Sequence, residues 1–405
     1  MPPPTPTPQT LTLFLRAQTT LYGPSITTTP SPSTWTPPPS SGGHLGRYLW
    51  TDAIGVLNFL TLHRIHPNPP SENHYLTLAS RLITSVHNTL GRARDPPHTP
   101  LPGASPSHPL AGGLRIGKPS AAGHDCDGQY HHYLTLWMFA LNRMSVASGE
   151  GKWNKLAVEL GRAIHPHFFI KGVDGRRLDR MVWKLDTELR RVLVGSEGNL
   201  DPVDGFVVFR VVRAYELACG GDKGVLEEEI EDYRRVMRRK GRQRVSDDLL
   251  DLGMGLWTAH LVEGEEEEWA GELLGRGVER VYDLFEIKHY LQRDPRYRLA
   301  FREFGAAMGI KCVAEQLAEK DTAVDLKVYA DQIVDFWAPY MAGEEEDDIE
   351  DLRPITQVMY AAALIPGGEF IPVLLKGSDW ADWCVAFCRG FFENEPVIPP
   401  VLNVY

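Results

Sequence analysis

Several features are scarce or missing from these 405 residues, and each absence removes a class of protein. Cysteine is scarce: Cys126, Cys219, Cys312, Cys384 and Cys388 make an odd number with no Cys-x-x-Cys pair. That spacing suits neither a disulfide framework nor a zinc knuckle, and it fits a reducing compartment. No Asn-x-Ser/Thr sequon occurs. No stretch reaches the ~18 apolar residues that a membrane-spanning helix requires. The first residues lack a basic start and carry only the short apolar piece Leu11 to Leu15, so no secretory signal is expected. Basic residues are outnumbered 42 to 53, for a net charge of −11. This disfavours nucleic acid and anionic membrane surfaces as partners. One basic concentration, Arg235, Arg238, Arg239, Lys240, Arg242 and Arg244, reads as the solvated end of an outer helix. The expectation is a cytoplasmic protein.

Catalytic signatures are equally sparse. There is no His-Glu-x-x-His helix and no Gly-x-Ser-x-Gly elbow. Asp125, Cys126, Asp127 and His131 offer ligand types without metal-ligand spacing, so no metal is expected. The stretch Gly112 to Lys118 begins like a phosphate-binding loop, but Pro119 stands where Ser or Thr would hold Mg²⁺. It reads as a flexible loop, with Arg115 or Lys118 available to an acidic ligand. No βαβ pattern supports a dinucleotide site, and no cofactor is expected.

What is present is a rhythm. Residues 1–43 are rich in Pro, Thr and Ser and read as a mostly extended N-terminal arm, anchored by Leu13, Phe14 and Leu15 or by Trp35. From residue 44 to 405, apolar helices with few charges alternate with amphipathic ones. The apolar kind begins at Thr51, Gly128, Asp201, Asp248, Leu299 and Pro354. A helix apolar nearly all round is a buried helix. The amphipathic kind begins near Glu72, Lys152, Val225, Glu266, Asp325 and Ser378, with one-sided apolar stripes at i, i+3, i+4 spacing. Two long insertions, 93–127 and 166–200, interrupt the rhythm, and the second contains a Gly-Arg-Arg turn and Trp183. Such loops are often functional. Six buried helices alternating with six amphipathic ones predict an all-α fold, an (α/α)6 barrel of six helical hairpins. An open solenoid would need polar caps, and Trp380, Trp383 and Phe387 make the last hairpin too apolar for one.

This alternation resembles the six-hairpin glycosidase superfamily, whose toroids include glycoside hydrolases, unsaturated uronyl hydrolases and sugar 2-epimerases. The resemblance implies a site at the N-terminal ends of the inner helices. Residues there include Trp50 and Asp52 at the entry to the first, Asp127, Gln129, Tyr130, His131 and His132 at the entry to the second, and Glu197, Asn199, Asp201 and Asp204 at the entry to the third. Asp247, Asp248 and Asp251 precede or begin the fourth, and Arg298, Arg302 and Glu303 the fifth. Asp201 and Asp247 suit helix caps, since Pro202 follows the former and Ser246 precedes the latter. Asp52 and Asp204 sit within apolar helices, where a carboxylate needs a partner or a role. His131 and His132 are adjacent and therefore point about 100° apart on a helix.

The resulting expectation is a carbohydrate-active enzyme, most simply a glycoside hydrolase acting on a small-molecule or oligosaccharide substrate. Its paired carboxylates would be Asp127 and Asp204, with Asp52 in reserve. Trp50, Tyr130 and Trp183 would be sugar platforms, with Gln129, His131, His132, Glu197 and Arg302 as polar contacts. A sugar epimerase or isomerase working through a His and a second base is the alternative. A non-catalytic ligand-binding protein on the same fold is another. Oligomeric state is open, homo-oligomerisation included.

Overall fold

The computed structural model describes residues 6–39, 47–66, 69–71, 73–96, 98–123, 125–171, 178–241, 244–262, 268–317, 319–341 and 352–366. Thirteen α-helices are present among these residues: α1 (Pro8–Tyr22), α2 (Ser25–Thr28), α3 (Leu49–Ile65), α4 (His74–Leu90), α5 (His131–Ser148), α6 (Lys152–Phe168), α7 (Asp201–Ala218), α8 (Glu227–Lys240), α9 (Leu249–His260), α10 (Glu268–Tyr282), α11 (Ala300–Ala314), α12 (Lys320–Met341) and α13 (Arg353–Leu364).

The inner helices are α3, α5, α7, α9, α11 and α13, and each packs against the next, with α13 returning to α3. The side chain of Asn58 on α3 fastens that closure, donating to the carbonyl of Val358 on α13 at 3.1 Å. In α3 every residue from Leu49 to Leu62 is buried, as a helix enclosed on all sides must be. The outer helices show the complementary pattern. Helix α6 turns Trp153, Ala157, Leu160, Ile164 and Phe168 inward. Helix α8 buries Ile230, Tyr233, Val236 and Met237, and opens with Glu227–Glu229 and closes with Arg238–Lys240. Acids at the N-terminus and bases at the C-terminus both oppose the helix dipole.

Outer helices α4, α6, α8, α10 and α12 pair with α3, α5, α7, α9 and α11. The outer helix expected near Ser378, with Trp380, Trp383 and Phe387, lies outside the described residues. The neighbour of α13 is instead α1. The N-terminal segment expected to be extended is therefore partly helical. Thr7 caps it by accepting from the Thr10 N–H, Pro8 starts it, and no proline follows before Pro24. Its buried face carries Phe14, Ala17, Gln18 and Tyr22, spaced for one side of a helix. Phe14 is fully buried, and Tyr22 and Trp35 pack around Phe59 of α3. Burying each such ring contributes roughly 1.5–3 kcal/mol, which opposes the ordering entropy that the composition suggested would prevail.

Helices α9 and α11 make the tightest inner contact. A Cβ on Gly253 would lie 2.1 Å from the Gly305 carbonyl oxygen, and one on Gly309 would lie 2.0 Å from that of Gly253. Only glycine lets these two backbones approach so closely.

Five short strands are present: β1 (Gln129–Tyr130), just after the first insertion, and β2 (Phe169–Lys171), β3 (Leu178–Met181), β4 (Lys184–Leu185) and β5 (Val192–Val194) within the second. Strand β4 pairs antiparallel with both β1 and β5, and β2 pairs with β3. The Gly-Arg-Arg turn at 175–177 lies outside the described residues. Stretch 112–118 is mostly buried rather than a free loop: Arg115 pairs with Asp127 and Lys118 with Asp125.

Candidate functional site

Helices α5, α7 and α9 begin around a cavity of about 260 Å³. It is lined by Tyr130 and His132 from the head of α5, Asp201 from α7 and Asp251 from α9. Trp183 and the stretch Glu197–Leu200 complete the wall. Strand pairing places the aromatic residues. Tyr130 of β1 lies opposite Lys184 of β4, which brings Trp183 to a centroid distance of 4.7 Å from the Tyr130 ring. Tyr130 also stacks on Tyr133 at 4.7 Å.

His132 lies at the centre of the polar network. Its Nδ1 is 2.5 Å from Asp204 Oδ2, and Thr258 of α9 donates to the other oxygen of Asp204 at 2.8 Å. Asp204 is nearly fully buried and His132 is 17% exposed, so the ring is the accessible member of the pair. Trp50 of α3 packs on the imidazole at a centroid distance of 4.6 Å. Burial opposes the imidazolium, but the Asp204 charge, its hydrogen bond and the charges of Asp201 and Asp251 outweigh burial and raise the His132 pKa. With Nδ1–H donated to Asp204, the lone pair of the neutral ring sits on Nε2.

The adjacent His131 points elsewhere. It is fully buried, its Nε2 is 2.7 Å from the Tyr233 hydroxyl, and its Nδ1 is 3.6 Å from Asp201 Oδ1. That last separation is beyond hydrogen-bond reach. Asp201 makes no cap bond; it is the first residue of α7, and Leu200 is the cap residue. Asp248, one residue after the expected Asp247, caps α9 by accepting from the Leu250 and Asp251 N–H groups. Asp247 instead pairs with Arg280 and Lys288. Asp251 accepts from Asn199 Nδ2 at 3.1 Å. Burial raises its pKa, against the lowering influence of Asn199, His132 and Ser246.

The remaining sequence candidates are placed as follows. Asp127 does not line the cavity. Its Oδ1 accepts from the Gly117, Lys118 and Gly128 N–H groups, and its Oδ2 accepts from Arg115 at 3.0 Å and faces Arg94 at 3.5 Å. Its carboxylate is thereby occupied in ordering the 93–127 insertion. Asp52 is fully buried, bound by Arg47 and by the Tyr22 hydroxyl at 3.1 Å. Gln129 pins three backbone groups, those of Gly112, Leu114 and Thr187. Glu197 lines the cavity while accepting from the Met181 N–H and from Arg239. Arg302 pairs with Asp248 away from the cavity lining. The structure thus brings Tyr130, His132, Trp183, Glu197 and Asp204 together, and adds Asn199, Asp201 and Asp251. No group of three metal-ligating side chains occurs among the described residues, and no helix among them is long and apolar enough to cross a membrane.

No family model and no curated protein matches the chain. Among solved structures, the chain is similar to a sugar epimerase from a ruminal bacterium, at 12% identity and a TM-score of 0.45, covering 78% of this chain and 87% of that one.

Proposed function

We propose that this protein is a sugar epimerase or isomerase that moves a proton next to the carbonyl of an open-chain sugar. One observation carries this reading: a cavity-lining histidine, His132, is held through Nδ1 by a buried carboxylate that is itself fixed by Thr258. That arrangement suits a general base whose free nitrogen faces substrate. In its neutral form His132 would remove the proton from the carbon beside the aldehyde, leaving an enediolate. Return of a proton to the opposite face of that carbon gives the epimer, and return to the former carbonyl carbon gives the ketose. Atoms balance without an added reagent in either case. Tyr130 and Trp183 supply ring faces against which a sugar packs.

Glycoside hydrolysis is supported by a different observation. Asp251 is a cavity carboxyl whose pKa burial raises, as a general acid requires. In that reading the acid is Asp251 rather than Asp127.

The test is incubation of aldoses and reducing disaccharides with the enzyme in deuterium oxide, followed by proton NMR. Deuterium at the carbon beside the carbonyl, lost by at least about a hundredfold in His132→Gln, supports the proton-transfer reading. Release of a new reducing end, dependent on Asp251 and not on His132, would replace it with hydrolysis.

A further inference from the structure

Asp201 Oδ1 makes no hydrogen bond among the described residues, although the side chain is only 7% exposed. Its Oδ1 is sealed toward His131 at 3.6 Å. Its Oδ2 packs over Gly198, where an added Cβ would come within 1.8 Å of it. Both Asp201 and Gly198 line the cavity. A buried carboxylate without a partner is costly. Two features lower that cost without supplying a partner. Asp201 stands at the first position of α7, where the helix dipole favours negative charge. Lys240, behind the wall, attracts Asp201 without bonding it: its Nζ donates to the Gly198 carbonyl at 2.7 Å and lies 3.4 Å from that of Asn199, while Arg239 binds Glu197.

The charge around the cavity follows one sign. Among the described residues its lining includes three acids, Glu197, Asp201 and Asp251, and no Lys or Arg. The one described lining group of positive character, His132, is matched by Asp204. Beside these acids stand the rings of Tyr130 and Trp183, whose faces attract cations. Of the three acids only Glu197 is bound to an arginine, Arg239, so an anionic sugar, whether a uronate or a sugar phosphate, would meet Asp201 and Asp251 here.

We infer that Asp201 is the binding group for a protonated amine on the substrate, so that the preferred sugars are amino sugars whose nitrogen is unmodified. The inference rests on the sugar reading above and goes beyond it by naming the substituent. An ammonium group donates to Asp201 Oδ2 and lies against the aromatic wall. An acetylated nitrogen has no charge to offer.

The experiment is calorimetric titration of the full-length protein with glucosamine, N-acetylglucosamine and glucose, at neutral pH. Wild type is compared with Asp201→Asn, which keeps the shape and removes the charge. A second variant, Gly198→Ala, crowds Oδ2 while keeping the carboxylate. The expected result is glucosamine bound about tenfold more tightly than glucose by wild type, the size of one charge-assisted hydrogen bond. That preference should fall to about onefold in Asp201→Asn and shrink in Gly198→Ala. Equal binding of glucosamine and glucose by wild type would overturn the inference and leave the epimerase reading standing. So would a preference that survives Asp201→Asn. If none of the three sugars binds to folded wild type, both the inference and the sugar reading fall.

Discussion

At the head of α11, Glu303 is fully buried and both of its oxygens are matched: Arg298 binds them at 2.8 and 2.6 Å, and the Trp337 indole N–H adds a third bond at 2.9 Å. At the head of α3 the same device recurs, with Asp52 held by Arg47 and by the Tyr22 hydroxyl. In both cases the arginine stands five residues before the acid and an aromatic donor comes from an outer helix. Across the mouth, at the head of α7, the buried Oδ1 of Asp201 has no hydrogen bond among the described residues. One side of the barrel mouth therefore uses buried charge to hold its helices, and the other leaves charge unsatisfied beside an open cavity. Unsatisfied buried groups lower stability, and they persist where binding or catalysis needs them.

Substitutions should separate the two sides by sign as well as size. The largest effect is expected for Glu303→Ala, which strands Arg298 in the core. A loss of about 3–5 kcal/mol in denaturant-derived stability is predicted, and a loss below about 1 kcal/mol would remove the contrast. Arg47→Ala should behave similarly by stranding Asp52.

The next effect is a pH dependence that sharpens the comparison through two histidines. His260, fully buried at the end of α9, has its pKa pushed down to about 4 by burial, against the raising influence of its bond to the Trp257 carbonyl. A base with a folded pKa below its unfolded value near 6.5 binds fewer protons when folded. Stability should therefore fall as pH drops from about 6.5 to about 4, by on the order of 3 kcal/mol from this ring alone. Burial lowers His87 and His165 too, and they add in the same direction. His132 has the opposite sign: its pKa is raised, so its contribution is present below about 6.5 and is lost as pH rises through the folded value. Thermal melts across pH should show the acid-side loss flattened in His260→Asn. An unchanged slope would contradict the assignment.

A smaller loss is expected at the seam between the two sides. Gly309→Ala forces the α9 and α11 backbones apart and should cost about 1–3 kcal/mol by denaturation. The smallest effect is Asp201→Asn. Removing an unpartnered charge should leave stability within about 1 kcal/mol of wild type or slightly above it. A loss comparable to that of Glu303→Ala would show that Asp201 serves the fold.

The inner and outer helices were legible because enclosure on all sides and enclosure on one side leave different patterns, and the starts read at Lys152 and Asp201 coincide with those of α6 and α7. Helix α1 was not legible, because prolines and threonines flank it and its stability comes from contacts with α13 and α3. Of the candidate site, His132, Asp204, Tyr130, Trp183 and Glu197 could be named from their position before or within inner helices. Asp201 and Asp251 were harder to single out, since an acid that caps a helix and one that faces a cavity look alike in sequence. Asp127 shows the reverse difficulty: the arginine that matches it, Arg115, approaches through a folded insertion. The strand pairing that sets Trp183 beside Tyr130 also leaves no mark in hydrophobic periodicity, because the strands are so short.

The packing of α1 against α13 has a consequence for biosynthesis. Helix α1 meets its neighbour only after a helix that begins at Arg353 has been made. At ribosomal rates of about 5–20 residues per second that is a wait of tens of seconds. During it the apolar face of α1 is an adhesive surface on a nascent chain, and the circular wall of inner helices cannot shut until α13 meets α3.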